Sequence, residues 1–252
     1  SATIKLENKH YPVLLKELIS IISPLYGGTF LDCTFGQGGY SKKILEKKNN
    51  KVIAIDRDKN VVLYAKEIQK KYNNRFNFYN IKFSEISSIK LESKNLKGII
   101  FDLGYSNNQI KDLNRGFSFK SRGKLNMMMG INNFSCHEVI SNMSEENLNK
   151  IFKYFGEEKF SKRIARKIIE IRKTKKINTE DLTKIIDGVK KFKNYKINNS
   201  TKVFQALRIY VNKEISELIY GLINAFNLLP IGGIIVVVTF HSIEDKIVKF
   251  FF

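Results

Sequence analysis

Apolar residues along this chain fall into two patterns. Short runs at Thr29–Thr34, Lys51–Asp56, Phe76–Asn80, Lys97–Leu103 (KGIIFDL) and Gly233–Thr239 (GIIVVVT) read as strands, the first and the last two of them buried. Between them, spacings of three and four predict helices over Pro12–Ser23, Tyr40–Lys47 and Asp58–Lys71, the last built on Val61, Val62, Ala65 and Ile68. Strands alternating with helices predict an α/β fold with a doubly wound, mostly parallel sheet.

From Ile110 to Ser200 the alternation stops and no segment reads as a strand. Helical spacing covers Ser144–Phe155, Glu157–Lys173 and Asn178–Val189, with Gly156 and Gly188 expected as C-caps, and one long helix covers Thr201–Leu228. The organisation expected is a discontinuous sheet domain, 1–110 plus 201–252, interrupted by an all-helical insertion, 111–200. The insertion would follow the fourth strand at the carboxyl edge of the sheet, where open α/β sheets bind ligands.

The most informative segment is TFLDCTFGQGGY, Thr29–Tyr40, with KVIAID ending at Asp56. A buried strand runs into Asp32, glycines 36, 38 and 39 make a tight turn into a helix, and the next strand delivers a second carboxylate. Glycines let the backbone approach a nucleotide ligand, and an acid at the next strand end accepts hydrogen bonds from ribose hydroxyls. A dinucleotide fingerprint needs G-x-G-x-x-G, but the register here is Gly36-Gln37-Gly38-Gly39 with Ser41 at the third-glycine position. S-adenosylmethionine has no pyrophosphate to seat on the helix N-terminus, and its sulfonium favours an acidic, carbonyl-rich mouth. The residues therefore favour a methyltransferase over an NAD-dependent oxidoreductase, with a purely connecting turn as the structural alternative.

Charge adds the second substrate. Lys and Arg number 44 against 24 Asp and Glu, a net +20 over 252 residues, and the pI is near 9.8. This draws the chain towards polyanions, nucleic acid first, although Lys, Asn and Ile richness throughout also fits an A+T-rich coding bias. The Glu157–Lys173 helix carries Phe160, Ile164, Ile168 and Ile171 on one face and Lys162, Arg163 and Arg166 over the rest, a pattern suited to phosphate contact. Arg115 with Phe117 and Phe119 offers surfaces that stack on unpaired bases. Cys33 and Cys136 make no disulfide framework, the three histidines are too scattered for a metal set, and a cytoplasmic protein without a membrane span is expected.

Asp102, Ser106 and Gln109 follow the fourth strand, where enzymes that methylate exocyclic amines place acceptors for the target NH2. That amine is a poor nucleophile, and hydrogen bonds to its protons together with alignment supply most of the help it needs. Cytosine C5 chemistry would need a cysteine there, and none is present. His241, after the last strand, is expected to face the crevice, and Ser242 with Asp245 resembles a capping box.

Together HYPVLL, DCTFGQGGYS, AIDRD, FDLGYSNNQ, RGFSF, YFGEEKFSKRIARKI, TKVFQALRIYVNKE and TFHSIEDKIVK resemble the RsmH (MraW) family. These are S-adenosylmethionine-dependent methyltransferases of the N4 atom of a cytidine in the decoding region of bacterial small-subunit (16S) rRNA. The resemblance implies a Rossmann-like class I methyltransferase domain carrying an inserted helical domain for RNA recognition. It implies cofactor contacts at Gly38, Gly39, Tyr40, Asp56, Phe83, Asp102 and Gln109, with Asp102, Ser106 and His241 at the reaction centre. RNA contacts would fall on Arg115, Lys162, Arg163, Arg166 and Arg208, and the partner would be small-subunit rRNA or a 30S-type particle, with a homodimer left open. Three segments depart from the family pattern: Tyr40 replaces His, Ser106-Asn107-Asn108-Gln109 replaces Ser-Ser-Pro-Gln, and Leu125-Asn126-Met127-Met128-Met129 replaces Leu-Asp-Met-Arg-Met. The last of these, with the family's final strand lying beyond Phe252 in a chain expected to be trimmed, admits a non-catalytic RNA-binding descendant as the alternative.

Overall fold

The computed structural model describes residues 12–22, 24–91, 93–104, 112, 115–118, 121, 123–130, 132–190 and 198–252. It divides into two compact modules, Ser1–Gly104 with Leu218–Phe252, and Tyr105–Glu217. The helix from Thr201, expected with the sheet, instead belongs to the helical module. Its apolar residues Val203, Phe204, Ala206, Leu207 and Val211 pack into that module's core.

The sheet module contains five parallel strands: β1 (Gly28–Asp32), β2 (Asn50–Ile55), β3 (Phe76–Tyr79), β4 (Leu96–Asp102) and β5 (Ile234–Val238), in the order β3-β2-β1-β4-β5. The inner strands form from runs apolar on both sides, whereas edge strand β3 buries Phe76 and exposes Asn77 and Tyr79. In β4, Gly98 to Phe101 are all buried. Helices α1 (Leu15–Ile22), α2 (Gly39–Leu45) and α3 (Val62–Tyr72) cover one face through Leu18, Ile22, Ile44, Ala65 and Ile68. The other face is closed by Ile86, by Leu218, Leu222 and Ala225, and by Ile247 and Val248 of the C-terminal helix Ser242–Phe251.

The helical module contains α4 (Cys136–Asn142), α5 (Glu145–Gly156), α6 (Ser161–Arg172), α7 (Thr179–Val189) and α8 (Thr201–Asn212). Both predicted glycine caps fall inside helices. The left-handed residue after α5 is Glu157 (φ 48°), and Gly188 lies within α7. Gly156 serves packing instead, since a Cβ there would stand 2.5 Å from the Lys202 carbonyl oxygen, so α5 and α8 touch backbone to backbone.

The single helix expected over Thr201–Leu228 is two, α8 and α9 (Glu214–Leu228). Lys213 adopts φ 52°, and its N–H caps the carbonyls of Ile209 and Tyr210. The final helix, α10 (Ser242–Phe251), is capped by His241 and not by Ser242: the imidazole accepts from the Glu244 N–H at 3.4 Å.

Candidate active site

Asp32 closes β1, Asp56 follows β2, and Asp102 closes β4. β1 and β4 are the neighbours at which the strand order reverses, the place where open α/β sheets hold their ligands. The turn from β1 into α2 depends on its glycines. Gly38 has φ 75°, and a Cβ on it would lie 2.4 Å from Ile68 Cδ1 and 2.7 Å from the Phe35 ring. Gly39 is excluded from other residue types by the Pro12 ring, 2.2 Å from where its Cβ would be.

Carboxylates clasp this turn from two sides. Asp56 accepts from the Gly36 N–H at 2.8 Å through one oxygen and from the Asp58 N–H at 2.8 Å through the other. Asn80 donates to the Asp56 carbonyl at 2.7 Å. Beneath the turn, fully buried Asp32 accepts from the Ser41 hydroxyl at 2.6 Å and the Thr34 N–H at 3.3 Å. Thr34 Oγ1 in turn accepts from the Asp102 N–H at 2.7 Å. The residue at the third-glycine position is therefore a working part of this loop. Ser41 ties the first turn of α2 to the end of β1.

Burial raises the proton affinity of all three acids, and the charge of Asp32 adds to it at Asp56 and Asp102. Burial pushes Asp32 up to about 6, against the hydrogen bonds from Ser41 and Thr34. Burial likewise raises Asp56 to about 6, opposed by the Asp58 and Gly36 N–H groups. Asp102 is pushed up to about 7 by burial first and by the charge of Asp32 second. Its Oδ1 is buried and has no hydrogen-bond partner among the described residues. Tyr40 is buried; its hydroxyl donates its single proton to the Val13 carbonyl and lies beside the Asp102 carboxylate. Burial, then the charges of Asp102 and Asp32, push the phenol's pKa up.

Phe83 opens the 3-10 turn Phe83–Ser88 after β3, sits edge-on to Phe101 at 5.5 Å, and is only partly buried. A Cβ on Gly221 would lie 2.6 Å from its ring. His241 lies beyond β5. Its Nδ1 accepts from the Glu244 N–H, and its Nε2 lies 3.0 Å from the Glu244 carboxylate. Buried Glu244 also accepts from the Phe240 N–H at 2.9 Å. Ser106 and Gln109 lie outside the described residues, as do Phe119, Lys191, Lys193 and Lys196.

Of the residues expected to meet RNA, Lys162, Arg163 and Arg166 are exposed on α6, with Arg163 over the Phe160 ring at 5.7 Å and Arg166 3.6 Å from Glu145. Arg115 lies over Phe117 at 5.3 Å while donating to the Met128 carbonyl at 2.8 Å. Arg208 corrects the expectation. It is 6% exposed, and both arms of its guanidinium bind Glu214 at 2.9 Å, so it holds α8 to the start of α9 and offers nothing to a ligand.

Sequence reading missed Thr34, Ser41, Glu244 and Asn212 as organising residues. Ser41 and Glu244 stand within recognisable motifs, but what they bind is visible only in space. Asn212 accepts from the Met129 N–H and donates to the Met127 carbonyl, both at 2.8 Å, seating the segment with Asn126 on α8.

A mouth with Asp56 and Asp102 at its strand ends, backed by buried Asp32 and holding one acceptor unpartnered among the described residues, suits a cationic ligand and an N–H donor. Residues 7–252 match the model of the MraW methylase family. A Rickettsia massiliae protein named Ribosomal RNA small subunit methyltransferase H is 46% identical over 96% of this chain and 79% of its own length. A Rickettsia bellii protein of the same name is 44% identical over 98% and 81%. Among solved structures, MccD protein aligns over 69% of this chain and 95% of its own at 14% identity and a TM-score of 0.32, too distant to carry an argument.

Proposed function

Because the chain belongs to the MraW methylase family, we propose that it transfers the methyl group of S-adenosylmethionine to N4 of a cytidine in the decoding region of small-subunit (16S) rRNA, in the bacterial cytoplasm. The observation that carries this reading is the buried Oδ1 of Asp102, without a hydrogen-bond partner among the described residues, beside a glycine turn clasped by Asp56. An acidic mouth with an orphaned acceptor suits both the cationic donor and the protons of an exocyclic amine. The relatives' shared name supplies the RNA.

When bound, S-adenosylmethionine would supply an electrophilic methyl on a sulfonium. Gly38 and Gly39 would let the backbone approach it, Asp56 would accept from its ribose hydroxyls, and Phe83 would stand beside its adenine. Asp102 would accept a hydrogen bond from the target NH2, favouring a pyramidal nitrogen aligned for in-line attack. Methylation would leave the amine one proton to lose, and Asp102, pushed up to about 7, is suited to receive it. Lys162, Arg163 and Arg166 would hold phosphates, and Arg115 with Phe117 an unpaired base.

The test uses small subunits from cells lacking the enzyme. Incubation with labelled S-adenosylmethionine and mass mapping should show one added methyl on a decoding-region cytidine, at N4. Binding of these particles without methyl transfer would establish the RNA-binding descendant in place of the enzyme. Affinity for NAD in preference to S-adenosylmethionine would overturn the reaction class.

A further inference from the structure

Asp32 is a buried carboxylate that no ligand can touch, yet it stands behind the reaction centre. It is 0% exposed, it ends the strand that pairs with β4, and its oxygens are taken up by Ser41 Oγ at 2.6 Å and the Thr34 N–H at 3.3 Å. Thr34 passes the arrangement on, since its hydroxyl accepts from the Asp102 N–H at 2.7 Å. Neither partner of Asp32 carries charge, so its ionised form projects a negative field into a low-dielectric site. The ionisable groups coupled to it and to its neighbours come from each adjoining element: Tyr40 on α2, Asp56 and Asp58 after β2, Asp102 on β4, and Glu244 beyond β5.

We infer that Asp32 is the specificity-determining residue by which this pocket separates a sulfonium-bearing nucleoside from its neutral thioether product, acting through the field it adds to Asp102. This rests on the reading that the pocket binds S-adenosylmethionine. Donor and product share the adenosine, amino and carboxyl groups and differ by one methyl and its positive charge. A residue with no exposed surface cannot sense the methyl by contact, but it does sense the charge. A buried anion therefore weakens product inhibition by favouring the charged ligand, and helps the product leave once the charge is gone. It is a positioning and field residue, since it touches neither ligand. The acid shifts of Asp32 and Asp102 agree with this, because an anion held by uncharged partners in a buried place is stabilised by any cation that binds.

Calorimetry on the full chain with S-adenosylmethionine and S-adenosylhomocysteine tests it. In the native protein the affinity ratio of donor to product should rise between pH 5.5 and pH 7.5, as Asp32 and Asp102 ionise. In Asp32→Asn the ratio should fall on the order of tenfold and lose most of this pH dependence. Ser41→Ala, which keeps the charge and removes one hydrogen bond, should preserve the ratio, and it also serves as the readout should Asp32→Asn fail to fold. Equal weakening of both ligands by Asp32→Asn would show a purely structural role, and a pH-independent ratio in the native protein would overturn the inference on its own. If the native protein bound neither nucleoside, the assignment of the pocket itself would fail.

Discussion

At the scale of single residues, the acids beside the glycine turn set both chemistry and stability. Their folded-state pKa values lie above the ordinary carboxylate value, so the native chain keeps protons that the unfolded chain has lost. The stability this confers is complete below about pH 4 and disappears as pH rises through 6 to 7. Chemical denaturation without ligand should show stability falling over that window, with Asp32 alone contributing on the order of 3 kcal/mol. A fold that gained stability there would contradict the electrostatics described. Ligand should oppose the trend, because a bound cation offsets the repulsion. Gly38→Ala is the backbone counterpart: with φ at 75° and Ile68 at 2.4 Å, the added methyl has no room. Donor affinity should drop by at least tenfold, the change falling in Kd and not in the rate of the bound complex.

The elements show why a residue's class does not settle its role. Arg208 and Arg163 are both arginines on helices of a basic chain, but α8 is buried on nearly every side and α6 is not. Arg208→Ala leaves the Glu214 carboxylate, itself largely buried, without its partner and should cost about 3 kcal/mol in urea unfolding. Arg163→Ala with Arg166→Ala should change stability by less than about 0.5 kcal/mol, since both side chains lie at the surface. The same criterion applies to Gly156→Ala, where the α5–α8 crossing is too close for a methyl, at an expected cost of about 1–3 kcal/mol.

Over the whole molecule, the net charge of +20 predicts RNA affinity that falls steeply with salt. The Arg163→Ala, Arg166→Ala variant should lower the slope of log K against log salt by about 1.4, roughly 0.7 for each single-strand phosphate that is no longer neutralised, as read by filter binding or fluorescence anisotropy. An unchanged slope with weakened binding would move the phosphate-binding residues elsewhere. The methyl donor's affinity should stay unaltered in this variant, because the acids of the strand ends belong to the sheet module.

The alternation of apolar runs with helical spacings determined the parallel sheet, its strand positions to within a residue or two, the glycine turn and the helical insertion. Those features follow from local periodicity and from which backbone angles glycine alone tolerates, and both are written in the order of residues. The end of one long expected helix at Lys213, the capping role of His241, the burial of Arg208 and the grip of Ser41 on Asp32 were decided only by the tertiary structure. Each depends on which distant residues become neighbours, and burial and charge coupling are properties of that neighbourhood, not of the residue that carries them.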